Sequence, residues 1–393
     1  MYSFDYHLHR VTEERFSTTN IILFSLPTSV IPILFIHQLL LITDIFATFA
    51  YMERRNNIVE LLVKLGEQLA DFGNDHQSKA AIEQACSANE WFSPDSVRRA
   101  VEAIRSEMLD RAKLTAWFAD YPTLPLPQPL TVAIVMAGNL PLVGFADMLY
   151  TLASGCKPLI KPSSKDPLPL YIATLVNSLA DRELVGILKE GDTPDVVIAT
   201  GSDSSADYFR SLYPEASHLI RGSRYSVALL SGKESAEELR LLGEDCFEHN
   251  GMGCRSVSRL LVPRGYDFAP LIEALQPSLT LCSAGHKANY RQTRALLTMR
   301  GVPFTDGRGF VLLPEGSISE ERLSVICYTE YSSPTEVEEN LNSQAEKIQC
   351  VVAQNSPFER TVPFGQAQHP TLSDYADGVD VIDFLSHCST HRG

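Results

Sequence analysis

LTVAIVMAGNLPLVG, residues 130–144, begins with a continuous apolar run rich in β-branched side chains and ends in a cluster of Asn, Pro and Gly. A strand of that composition has no polar face, so it belongs in a parallel sheet covered by helices on both sides. Its surroundings agree. Upstream, SPDSVRRAVEAIRSEML (93–109) reads as a helix with Ser93 as N-cap and Pro94 at its first position, and the Pro-rich link YPTLPLPQP (121–129) stops this helical lead-in. Downstream, KPLIKPS (157–163), DVVIATG (195–201) and SVALLSG (226–232) repeat the short buried-strand pattern, with the helical segments PLYIATLVNSLA (169–180) and SSADYFRSLY (204–213) between them. Strands alternating with helices predict an α/β chain on a doubly wound parallel sheet, whose ligands bind beyond the carboxyl ends of the strands. A further helix, ESAEELRLLGEDCFE (234–248), leads to HNGMGCRS (249–256) and the strand SRLLVP (258–263), and more α/β sequence follows.

The chain has 393 residues, 45% hydrophobic and 21% charged, enough to bury the cores of two or three domains. A formal charge of -15 excludes nucleic acid as a partner, because duplex binding needs clustered Lys and Arg. An acyl-CoA or a dinucleotide remains compatible, since each needs only a local cationic lining. The eight cysteines are scattered, with no CxxC and no Cys/His cluster of the zinc type. This usage fits reduced thiols in a cytoplasmic protein and calls for no metal. The segment from Asn20 to Met52 is long and apolar enough to span a bilayer, but Pro27, Pro32, His37 and Asp44 argue against it. Met52 opens the amphipathic helix MERRNNIVELLVKLGEQLADF, an ordinary start for a folded chain. Residues 1–51 therefore read as translated upstream sequence, with membrane anchoring as the alternative.

Four segments carry candidate chemistry. Asn139 ends the first strand, with Pro141 two residues on; an Asn there either presents its amide to a site or caps the following helix. Lys161 ends the second strand in LIKPSSKDPL and is followed by Ser163, Ser164 and Lys165. Gly201 and Ser202 form a turn between a strand and a helix, where free backbone N–H groups receive phosphate. Cys254 lies in HNGMGCRSVSR, after His249, Asn250 and Gly251 and before Arg255, Ser258 and Arg259. A lone Cys before a strand is usually an inert buried thiol. The near miss GMGCRS precedes a strand and is no dinucleotide fingerprint.

Together, and in this order, the four segments resemble the aldehyde dehydrogenase superfamily. The resemblance implies two doubly wound parallel-sheet domains with the active site in the cleft between them. The divisions are an apolar extension (1–51), a helical lead-in (52–129), a cofactor-binding domain (130–231), a catalytic domain carrying the nucleophile (232–354), and a C-terminal segment (355–393) returning to the cofactor domain. It implies Cys254 as nucleophile and Asn139 as oxyanion donor, with Lys161, Ser163, Ser164, Gly201 and Ser202 holding a nicotinamide dinucleotide. Ser164 and Lys165 stand where NAD-preferring relatives carry a Glu, which favours NADPH over the alternative, NADH. Ala206 replaces a usual glycine. Thiolate formation needs help, for which Arg255, backbone N–H groups and His249 are candidates.

The stretch HLIRGSRYSVALL (218–230) places Ile220 or Arg221 where hydrolytic members keep the Glu that activates water. A thiol leaving group needs no such base. The combination is similar to the LuxC-type fatty acyl-CoA reductase family within that superfamily. That resemblance implies reduction of an acyl-CoA or acyl-carrier-bound substrate to an aldehyde, as a homo-oligomer, with an acyl-activating partner enzyme beside it. Two alternatives stay open: a CoA-independent aldehyde or semialdehyde dehydrogenase, and a non-catalytic binding protein of the same fold. Gln366 and His369 in VPFGQAQHP (362–370) read as loop structure.

Overall fold

The computed structural model describes residues 51–201, 203–318 and 323–391, in two units divided after Asn57. Residues 51–57 are helical. Most of the apolar segment from Asn20 to Met52, and Ser202, lie outside the described residues. Among the described residues no helix is long and apolar enough to cross a membrane. Everything below concerns the larger unit.

Two sheets organise that unit. The first contains β1 (Thr131–Val135), β2 (Lys157–Lys161), β3 (Gly186–Ile187), β4 (Val196–Thr200) and β5 (Ser217–Arg221), in the order β3-β2-β1-β4-β5. All four pairings are parallel. The doubly apolar character of β1 has the expected cause: Val132 and Ile134 enter one core with the helices Pro94–Met108, Phe145–Ala153 and Leu168–Ala180. Ala133 points the other way, into a second core with Val197, Ala199 and Phe209.

The second sheet contains β6 (Tyr225–Leu229), β7 (Val257–Pro263), β8 (Thr305–Asp306), β9 (Val311–Pro314), β10 (Val325–Tyr331), β11 (Ile348–Val352) and β12 (Thr361–Val362). Their order is β12-β11-β6-β7-β10-β9-β8, parallel except for the antiparallel β8–β9 edge. One boundary differs from the sequence reading. Residues 226–229, placed there in the 130–231 domain, lie inside the second sheet between β11 and β7. The first sheet ends instead with β5, SHLIR, whose His218 and Arg221 hide a strand from any apolar-run criterion. The C-terminal segment serves both halves. Thr361 and Val362 pair with β11, whereas Leu372, Val381, Ile382 and Leu385 join the core beneath the first sheet.

In the first sheet Val135 is level with Lys161 and with Ala199. The loops beginning near 136, 162 and 201 therefore leave one carboxyl edge side by side, and β1–β4 is the point where the strand order reverses. Cys254 arrives from the opposite polarity, three residues before the amino end of β7.

Candidate active site

The loop after β1 is pinned by three groups. Asn89 Nδ2 donates to the Gly138 carbonyl at 2.9 Å. Gly138 lies so close to Ser163 that a Cβ on it would come within 2.5 Å of the Ser163 hydroxyl, so only glycine fits. The Leu142 N–H, at a left-handed φ of 61°, donates to Asp166 Oδ2 at 2.7 Å. Asp166 also accepts from the Leu168 N–H at 3.1 Å, and burial pushes its pKa up to about 6.

Held in this way, Asn139 projects as an exposed side chain. It does not cap the helix Phe145–Ala153, whose N-cap is Gly144 with no side-chain bond. Instead its amide Nδ2 donates to the Met252 carbonyl at 3.0 Å, two residues before Cys254. The structure thus brings Asn139 against the loop that bears Cys254, through a contact across 113 positions of sequence.

The loop bearing Cys254 follows the helix Ala236–Phe247. His249, Asn250 and Gly251 all have positive φ, a run that two non-glycine residues adopt only under tertiary constraint. Asn250 supplies that constraint. It is buried, donates Nδ2 to the Trp91 carbonyl at 3.1 Å and accepts the Ser283 N–H at 2.7 Å. Ser226, in β6, donates its hydroxyl to the Cys254 carbonyl at 3.0 Å. Asp245 fixes the facing C-terminal loop by accepting the N–H groups of Gly365 (2.7 Å) and Ala367 (2.9 Å). Burial pushes the Asp245 carboxyl up to about 7. Gln368, next in that loop, donates to the Ser256 hydroxyl at 3.3 Å.

Cys254 is exposed, whereas Cys156, Cys246, Cys282 and Cys350 are buried. Crowding by the surrounding protein pushes its thiol pKa up, and the Arg255 guanidinium pulls the other way. Arg255 itself is tied to the Ala367 carbonyl through Nε at 2.5 Å and faces Asp374 at 3.9 Å. The net direction is upward, so the expected help towards the thiolate is only partial. His249 lines the same cavity as Cys254, and burial lowers its pKa, keeping the imidazole neutral.

Arg221, at the end of β5, is 5% exposed and donates to Asp147 Oδ2 at 2.6 Å. Its positive field also reaches the Cys254 thiol. Ile220 beside it carries no proton. Neither is a base.

The cofactor candidates are dispersed along the carboxyl edge. Lys161 is exposed, with its ammonium 5.7 Å from the Phe209 ring centroid. Ser164 and Lys165 are exposed as well. Ser163 is engaged structurally, closing its turn by accepting the Lys165 N–H at 3.2 Å and packing on Gly138. The Gly201 N–H donates to the Arg221 carbonyl at 3.2 Å. Two cavities meet at Gly253: one of about 620 Å³ includes Asn139, Arg224 and Arg259, and one of about 200 Å³ includes Cys254. Among the described residues no cluster of His, Cys, Asp or Glu is suited to a metal ion.

No protein-family profile matches the chain, and no curated protein is similar to it in sequence. Solved structures are similar in fold. Aldehyde dehydrogenase 21 from Physcomitrella patens, solved with its product succinate, superposes with a TM-score of 0.59 at 12% identity, over 86% of this chain and 84% of that one. An oxidoreductase from Marinobacter aquaeolei gives 0.59 at 12% identity, over 82% and 79%. The NAD+ complex of an aldehyde dehydrogenase from Bacillus cereus gives 0.54 at 17% identity, over 77% and 72%. The fold is that of the aldehyde dehydrogenases.

Within this aldehyde dehydrogenase fold, the sequence reading missed the residues that hold the site rather than form it. Asp166 was visible as an Asp before Pro167 and Leu168, a helix-start signal. Asp245 sits among apolar neighbours on a helix, and nothing local indicates partners at 365 and 367. Asn89 and Asp147 left no signal of their own.

Proposed function

We propose that the protein reduces an acyl thioester, a fatty acyl-CoA or acyl-carrier-bound acyl group, to the aldehyde through a thioacyl intermediate on Cys254, with NADPH preferred as reductant. The observation that carries this reading is the meeting of Asn139 with the Cys254 loop; where the resemblance would put a water-activating carboxylate stand Ile220 and Arg221, the latter paired with buried Asp147.

The chain's own groups account for the steps. The Cys254 sulfur attacks the thioester carbon, and the donor thiol leaves and takes up a proton. The acyl group is then held by a new C–S bond to Cys254. A primary amide has two N–H donors, and Asn139 uses one on Met252, which leaves the other for the acyl oxygen together with the Cys254 N–H. A nicotinamide dinucleotide supplies two electrons and a proton equivalent to the acyl carbon when bound. The resulting oxyanion collapses, the C–S bond breaks, and the aldehyde leaves with the Cys254 thiolate restored. Lys161, Ser164, Lys165 and the Gly201 turn would hold the dinucleotide. Two exposed ammonium groups and a hydroxyl, with no carboxylate at 164, suit a phosphorylated ribose better than a bare diol.

A water-driven aldehyde oxidation is the second reading. It is favoured only by the neutral His249 on the Cys254 cavity, which could serve as a base. Incubation with NADPH and acyl-CoAs of graded length, following cofactor oxidation and CoA release, separates the two. Both signals should appear, and both should be lost in Cys254→Ala. CoA-independent aldehyde oxidation without CoA release would replace the proposed function with the second reading.

A further inference from the structure

The smaller cavity has a direction. One wall is the helix Pro94–Met108, from which Ala100, Ile104 and Met108, four residues apart, and Ala103 beside them all face it from one side of the helix. Near the helix start, Arg99 Nε donates to Glu248 Oε1 at 2.9 Å, and Glu248 belongs to the loop that leads into Cys254. This marks the reacting end. Across the mouth, Leu140 is packed so close to Gly253 that a Cβ there would meet it at 3.0 Å.

Met108 marks the other end, nine residues beyond Arg99 and about 13 Å along the axis at the helical rise. That end is closed. Leu109 packs against Gly66 so tightly that a Cβ on the glycine would come within 2.9 Å of it, and Met108 is 6% exposed in the same core as Leu62 and Leu65. The cavity therefore has a thiol in its lining and, at the far end of this helix face, a methionine packed in the aliphatic core.

We propose that this helix face measures the acyl chain. The chain carried on Cys254 runs along the helix from Ala100 towards Met108; Ala103 sets the width it meets and Met108 the length at which it stops. The assignment deepens the function proposed above and rests on Cys254 being the acyl acceptor. Each methylene that enters should strengthen binding about fourfold, until the chain reaches Met108 and further carbons gain nothing.

Straight-chain alcohols of graded length, which cannot acylate a thiol, test the cavity apart from the chemistry. Their protection of Cys254 against iodoacetamide is read by peptide mass spectrometry and set beside kcat/KM for saturated acyl-CoAs with NADPH. In the wild-type protein both series should rise and then level off. Ala103→Leu should move the levelling point to shorter chains and reduce kcat/KM for the longest substrates at least tenfold more than for butyryl-CoA. Met108→Ala should move it to longer chains. Equal losses at every length, or an unmoved levelling point in both folded variants, would overturn the assignment. Length-dependent protection without acylation of Cys254 would show that this face binds aliphatic chains and would overturn the thioester reading on which the ruler rests.

Discussion

The Cys254 sulfur is exposed to reagents yet surrounded by enough protein to raise its pKa, with Arg255 opposing the rise. At rest Cys254 is therefore a thiol, and its reactivity depends on how much of the upward push Arg255 cancels. Arg255→Gln should move the midpoint of Cys254 alkylation by iodoacetamide to higher pH. An unmoved midpoint would show that the guanidinium charge is spent on Asp374 and the Ala367 carbonyl. Asn139 acts later. Its replacement by Ala should slow turnover by a factor on the order of 10²–10³, the usual loss for a missing oxyanion donor, while Cys254 still accepts label.

At the scale of elements, the site is two loops held by buried carboxylates. Asp166 and Asp245 have folded-state pKa values raised to about 6 and about 7, so the folded chain binds their protons more tightly than the unfolded chain does. Their contribution to stability therefore falls as pH rises from about 4, the ordinary carboxylate range, towards 7. Asp245→Asn should flatten the melting temperature over that window, measured by circular dichroism. The Arg221–Asp147 pair makes a different demand. Arg221→Met leaves a buried carboxylate unpaired and should cost ~3–5 kcal/mol in urea unfolding, with most of it recovered in the Arg221→Met, Asp147→Leu double variant.

Elements also show what the sequence can and cannot carry. β1, β2, β4 and β7 were legible because burial on both faces leaves an unbroken apolar run, as in Val196–Ala199. β5 was not, since His218 and Arg221 interrupt it. Residues 226–229 were legible as a strand but not as a member of the second sheet, because periodicity reports burial and says nothing of neighbours. Asn139 and Cys254 stood out by motif and order. Asp166 and Asp245 did not, because they work through backbone N–H groups, and those partnering Asp245 lie 120 and 122 residues away.

For the whole molecule, the arrangement places two parallel sheets with opposite ends towards one site: the carboxyl edge of the first brings Asn139 and the dinucleotide candidates, and the amino end of β7 brings Cys254. A dinucleotide bound along that edge should stabilise the fold by about 2.7 kcal/mol at a hundredfold excess over its Kd. NADPH should raise the melting temperature more than NADH at equal concentration if Lys161, Ser164 and Lys165 receive the 2′-phosphate. Equal shifts would remove the preference, and no shift with either would remove the cofactor assignment.

The most direct measurement is intact-mass analysis of the protein mixed with a fatty acyl-CoA in the absence of reductant, followed by addition of NADPH. One acyl group should appear on Cys254, slow to hydrolyse because Glu248, a carboxylate lining the Cys254 cavity, is paired with Arg99, and it should be discharged as aldehyde when NADPH is added. A chain that remains unlabelled, or that is labelled equally in Cys254→Ala, would contradict the thioester reading.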